Sequence, residues 1–121
     1  MTFIGNGHII SPLGIGVDAN FDALLKGESA LKTRDQLFGK PCPTPVGLIT
    51  DVVRRSNLTK VESLTLNAIT ASLSQCQQTT GKWLLVLCST KGDIERLETQ
   101  DVAGAKLGQI LKSIQPYLDI D

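Results

Sequence analysis

The sequence predicts an α/β fold with a mainly parallel sheet, in the order strand, helix, short strand, helix, strand, helix. Three observations carry this expectation. The run Trp83-Leu84-Leu85-Val86-Leu87-Cys88 is continuously apolar, as a strand becomes when both faces of its sheet are covered. Two segments place apolar residues at helical spacing: Val17, Phe21, Leu24 and Leu25, then Leu66, Ile69, Leu73 and Cys76. Strand-like and helix-like segments alternate along the chain, which points to right-handed crossovers within one sheet.

The elements follow in order. Thr2 to Ser11 mixes Phe3, Ile4, Ile9 and Ile10 with Gly5 and Gly7, a buried strand bent at its end by small residues. Ser11-Pro12-Leu13-Gly14-Ile15-Gly16 is a turn by composition. A helix is expected from about Val17 to Lys26, with Asp18 at its positive end, Lys26 at its negative end and Gly27 just beyond. Gly39, Pro41, Pro43 and Pro45 mark a long connection over 28–45, and connections of that length are usually functional or packed on a partner. Residues 46–50 read as a short strand. Thr59 and Glu62 then have the spacing of a capping box for the second helix. The strand at 83–89 leads through the polar turn Thr90-Lys91-Gly92-Asp93 to a helical turn over 94–100. A longer helix follows over 102–118, interrupted by Pro116. No linker divides the chain, so residues 1–121 are expected to form a single domain.

Composition narrows the functional classes. Hydrophobic residues make up 41% of the 121, and 12 basic residues balance 12 acidic ones, the balance of a folded domain. A formal charge of zero with five aromatics gives neither the field nor the stacking platform for nucleic acid. Apolar runs fall short of the roughly 20 residues a membrane helix needs, and the N-terminus lacks a signal-peptide pattern. No membrane or nucleic-acid partner is expected. Three cysteines without C-x-x-C spacing argue against a disulfide framework or zinc site, and for a reduced, cytoplasmic setting.

Few residues offer chemistry. Gly5-Asn6-Gly7-His8-Ile9-Ile10 begins like a dinucleotide fingerprint, but Ile10 replaces the third glycine and Pro12 intervenes before the helix. Glycines that ease a tight backbone path explain it better. Thr90-Lys91-Gly92 lacks the spacing of a phosphate loop. His8 is the only histidine, so a Cys-His or Ser-His-Asp site has none to spare. Cys88, at the end of the apolar run, would need Lys91 or His8 to activate it; a small buried thiol is the plainer reading. Cys76 is assigned to the core and Cys42 to a loop. Asp93 and Glu95 lie too close in sequence for an opposed acid–base pair. No catalytic, cofactor-binding or metal-binding residue is assigned, and no cofactor is expected.

Two stretches carry more information. Residues 3–14, Phe-Ile-Gly-Asn-Gly-His-Ile-Ile-Ser-Pro-Leu-Gly, resemble the opening of β-ketoacyl-ACP synthases. Residues 15–29 are similar to that family's first helix, its aromatic-x-x-Leu-Leu segment and the Gly-x-Ser that ends it. Trp83 to Asp93 matches in position the strand and glycine turn after the family's second long helix. The resemblance implies the N-terminal βαβαβα layer of a partial thiolase-like fold, lacking the nucleophile strand and helix and the second half. It implies decarboxylative condensation of acyl and malonyl-ACP by the family, with acyl carrier protein as partner. The family's nucleophile strand would begin just after Asp121, and its paired histidines belong to the second half. Cys88 corresponds to a small residue of the family, so no catalytic role passes to this chain. Two readings follow: an N-terminal fragment of a condensing enzyme, inactive by itself, or a non-catalytic subunit that pairs with a synthase or carrier protein. A layer with an open sheet edge is further expected to self-associate.

Overall fold

A computed structural model describes residues 6–37, 39–76, 84–89 and 92–118. The chain divides into two compact units, Gly7–Val52 and a second made of Met1–Asn6 with Val53–Asp121.

In the unit of residues 7–52, β1 (Ile10–Ser11) pairs antiparallel with β2 (Gly14–Ile15), placing Ile10 opposite Ile15 and Ser11 opposite Gly14. Pro12 and Leu13 form the bend between them, where a fixed φ favours a tight turn. The Ser11 hydroxyl accepts the Leu13 N–H at 3.0 Å. Gly16 then takes φ 97°, open to glycine with little cost, and turns the chain into α1 (Val17–Leu25). The helix ends in a Schellman motif: Glu28 N–H donates to Ala23 O at 2.9 Å and Gly27 N–H to Leu24 O at 3.0 Å. Gly27 has φ 69° there, which is why a glycine follows this helix.

The connection after α1 folds back on itself. Lys32 and Val46 form an antiparallel bridge, inside which β3 (Gln36–Leu37) pairs antiparallel with β4 (Lys40–Pro41). Just beyond Pro41, Cys42 N–H donates to Asp35 O at 3.3 Å.

In the second unit, α2 (Lys60–Ser74), α3 (Ile94–Glu98) and α4 (Leu107–Ile114) are followed by a 3-10 turn over Gln115–Tyr117. Thr59 and Glu62 make the expected capping box on α2. Leu58, Leu66 and Ile114 form the buried core, with Ile69, Leu85, Leu111, Tyr117 and Leu118 packed against it. Pro116 sits at the start of the 3-10 turn, where its missing N–H has no partner to lose.

The parallel βαβαβα layer is not what the chain forms. Among the described residues there are two sheets of two strands each, and both are antiparallel. Of the expected first strand, residues 2–5 lie outside the described residues, and Ile10–Ser11 pairs with its own turn. The segment at 46–50 contributes only Val46, in an isolated bridge. Trp83 lies outside the described residues, and 84–89 belong to no strand. Exposure there alternates: Leu85 reaches the core while Leu84 and Val86 are 87% and 67% exposed. Covered parallel strands need a packed layer on each face, and Leu84 and Val86 lie open to solvent.

Two helices need comment. On α1 the apolar stripe of Val17, Phe21, Leu24 and Leu25 faces outward, whereas Asn20 and Ala23 are buried. The expected helix over 102–118 starts only at Leu107, because Asp101 turns the chain before it. Its carboxylate accepts Gly104 N–H at 2.8 Å and its carbonyl accepts Ala105 N–H at 3.0 Å.

Ile114 is fully buried against α2. Ile114→Ala should therefore lower stability by about 2–5 kcal/mol, measured as an earlier midpoint in urea denaturation with an unchanged slope.

Candidate functional site

The densest polar arrangement among the described residues surrounds Arg96. Its sequence origin is dispersed: Thr59 and Glu62 come from the start of α2, Asp93 and Arg96 from α3 and its N-cap, and Asp101 from the turn after it. Asp93 caps α3 by accepting Glu95 N–H at 3.1 Å. That cap puts Arg96 three residues on, with its guanidinium over the α2 terminus.

Arg96 Nη2 donates to Glu62 Oε1 at 2.7 Å and Nη1 to Asp101 Oδ2 at 3.2 Å. Nε lies 3.6 Å from Asp93 Oδ2, an ion-pair distance rather than a hydrogen bond. Glu62 is 0% and Asp93 1% exposed. The Thr59 hydroxyl donates to Asp93 Oδ2 at 2.5 Å, while Thr59 N–H donates to Glu62 Oε2 at 2.9 Å. A buried carboxylate without such partners would cost several kcal/mol or take up a proton.

Burial by itself raises the Glu62 carboxyl. The Thr59 N–H, Arg96 and Ser113 outweigh it and hold the group below its ordinary value of 4.5. The Gly104 N–H, with help from Arg96, likewise holds Asp101 below 3.8. Beside this cluster Glu95 accepts from Arg54 Nη2 at 2.7 Å and from Lys60 N–H at 3.1 Å. A shallow groove of ≈ 310 Å³ runs along Arg54, Asn57, Thr59, Glu95 and Arg96.

Chemically this is a set of paired charges, in which Arg96 Nε is buried without a hydrogen bond. Arg96 is ringed by three carboxylates, and Arg54 is held by Glu95. A general base needs a free lone pair within reach of the proton it removes, and the carboxylates here spend theirs on each other's partners. No group of three or more His, Cys, Asp or Glu among the described residues could hold a metal ion.

A second polar arrangement lies in the unit of residues 7–52. Asn20 Nδ2 donates to Gly14 O at 3.1 Å and Gly16 O at 2.7 Å, and its Oδ1 accepts from the Ser11 hydroxyl. A pocket of ≈ 250 Å³ flanks the hairpin, with Pro12, Leu13, Leu48, Thr50 and Asp51 among its walls.

The residues weighed from sequence are not brought together. His8 is half-buried ahead of β1. Cys88 is an exposed free thiol, and Cys42 and Cys76 are half-buried free thiols. Cys42 Sγ lies 3.4 Å from Thr44 O, in the loop assigned to it. Thr90 and Lys91 lie outside the described residues. Asp93 and Glu95 point to separate partners. Sequence reasoning missed the Glu62–Arg96 pair, whose members are 34 residues apart; the one local signal was Asp93 three residues before Arg96. Comparison with models of protein families, with curated proteins and with solved structures gives no match.

Because folding lowers the Glu62 value, the ionised carboxylate contributes stability above pH 4.5 and loses it as pH falls through the lower folded value. Glu62→Gln should flatten the acid limb of a stability–pH profile below about pH 4.5. Arg96→Met, which leaves Glu62 and Asp93 unpaired, should cost on the order of 3 kcal/mol near pH 7, read by urea denaturation.

Proposed function

We propose that this chain is a scaffold segment of a β-ketoacyl-ACP synthase-type condensing enzyme and performs no condensation by itself. The observation that carries this reading is the motif over residues 3–29, ending in Gly27-Glu28-Ser29. Its described part forms one local assembly: a Ser-Pro-Leu-Gly hairpin pinned by Asn20 to a helix closed at Gly27. The reading does not rest on a parallel layer, which the chain does not form. Three free thiols fit a reducing, cytoplasmic setting. No described helix is long and apolar enough to cross a membrane.

The exposed stripe of α1 favours a second reading, a subunit that works by association. Val17, Phe21, Leu24 and Leu25 are 45–70% exposed on one helical face, and contiguous apolar patches of this kind mark contact surfaces. On this reading α1 meets a second copy of the chain, a condensing enzyme or an acyl carrier protein.

Incubation of the purified chain with acyl-ACP and malonyl-ACP should yield no β-ketoacyl product; turnover that survives alkylation controls would overturn the scaffold reading. The double variant Phe21→Asp, Leu25→Asp should reduce the mass measured by light scattering with or without added carrier protein. It should leave stability within about 0.5 kcal/mol of the parent, as exposed substitutions do.

A further inference from the structure

Asn6 and Gly7 are the one Asn-Gly pair in the sequence, and both are exposed. The Asn6 side chain reaches the far end of α2. Its Nδ2 donates to the Gln75 carbonyl oxygen at 2.5 Å and lies 4.0 Å from Cys76 Sγ. Gln75 is the C-cap of α2, so the amide satisfies one of the carbonyls that a helix C-terminus leaves without a partner. At Gly7 no atom lies within 4 Å of where a Cβ would sit. Glycine also leaves the widest range of φ and ψ from which its nitrogen approaches the preceding side chain.

We propose that Asn6 is a deamidation site, and that its conversion to an acid turns an attractive contact with the C-terminus of α2 into a repulsive one. The Gly7 backbone nitrogen attacks Asn6 Cγ. A C–N bond forms and closes a succinimide ring, the Cγ–Nδ2 bond breaks, and the nitrogen leaves as ammonia with the proton given up by Gly7. Water then opens the ring at either carbonyl to give aspartate or isoaspartate, with no change in oxidation state. The product replaces an N–H donor by a carboxylate oxygen facing the Gln75 carbonyl. Two acceptors then oppose each other with no proton between them. The new charge also sits at the negative end of a 15-residue helix, where an anion is disfavoured.

The test is incubation of the intact folded chain at mildly alkaline pH, followed by peptide mass mapping. The peptide holding residues 6 and 7 should gain the mass of an amide-to-acid conversion and split into two isomers. Gly7→Ala should lose that gain. An amide that stays intact in the folded chain while the urea-unfolded chain converts would overturn the site. The structural consequence is read by hydrogen exchange at the Gln75 and Cys76 amides, which donate to Ser72 O and Leu73 O. Exchange should be faster in Asn6→Asp than in Asn6→Ala, because deletion removes the bond and the acid adds repulsion. Equal exchange in the two variants, or in incubated and fresh wild-type protein, would overturn the switch of sign.

Discussion

The pairing of Arg96 with Glu62 is the contact on which the unit of residues 53–121 depends. Glu62 has two jobs that pull in compatible directions. One carboxylate oxygen closes the capping box on Thr59 N–H and the other accepts from Arg96. The start of a fifteen-residue helix is thereby tied to a five-residue one. A helix as short as α3 has no stability of its own in water, so its position follows from Asp93 at its cap and Arg96 on its side. Asp101, drawn to the same guanidinium, then sets the turn that delays α4 until Leu107. With α4 starting there, Ile110 and Ile114 fall one helical turn apart and both are buried.

This arrangement leaves little tolerance in the backbone around it. A methyl group on Gly92 would overlap the Ala105 carbonyl oxygen, and one on Gly104 would overlap the Asp101 carboxylate. Asp93 N–H donates to that same Ala105 oxygen at 2.9 Å. The glycines therefore let two turns approach closely enough for the carboxylates to share one cation. Arg55 stacks over Tyr117 at 4.9 Å, and Asn57 bonds the Tyr117 hydroxyl. These contacts fix the segment entering α2 against the one leaving α4.

What could be read from the sequence was what is local. Thr59 and Glu62 announce a helix start because the capping box spans three residues, and Gly27 announces a helix end because a Schellman turn requires a left-handed residue. The parallel sheet was not legible, since a continuous apolar run such as 83–88 cannot say whether a neighbouring strand exists to pair with it. The face that α1 buries was not legible for a different reason. Periodicity counts apolar residues, and here a polar one, Asn20, is drawn inward by the carbonyls of Gly14 and Gly16. The Arg96 cluster was hidden by distance along the chain, with only Asp93 and Arg96 close enough to have been paired in advance.

The Asn20 pin has a consequence for the order in which this chain takes shape during synthesis. Its three bonds span nine, six and four residues, so the loops to be closed are short and the entropy cost of closing them is small. Contacts this local form early, when the N-terminal residues have emerged and the rest of the chain is still being made. The orientation of the helix is thus set by residues within nine positions of Asn20, while Phe21, Leu24 and Leu25 stay exposed. The same short-range bonds that orient the helix leave its apolar face outside the contacts that orient it.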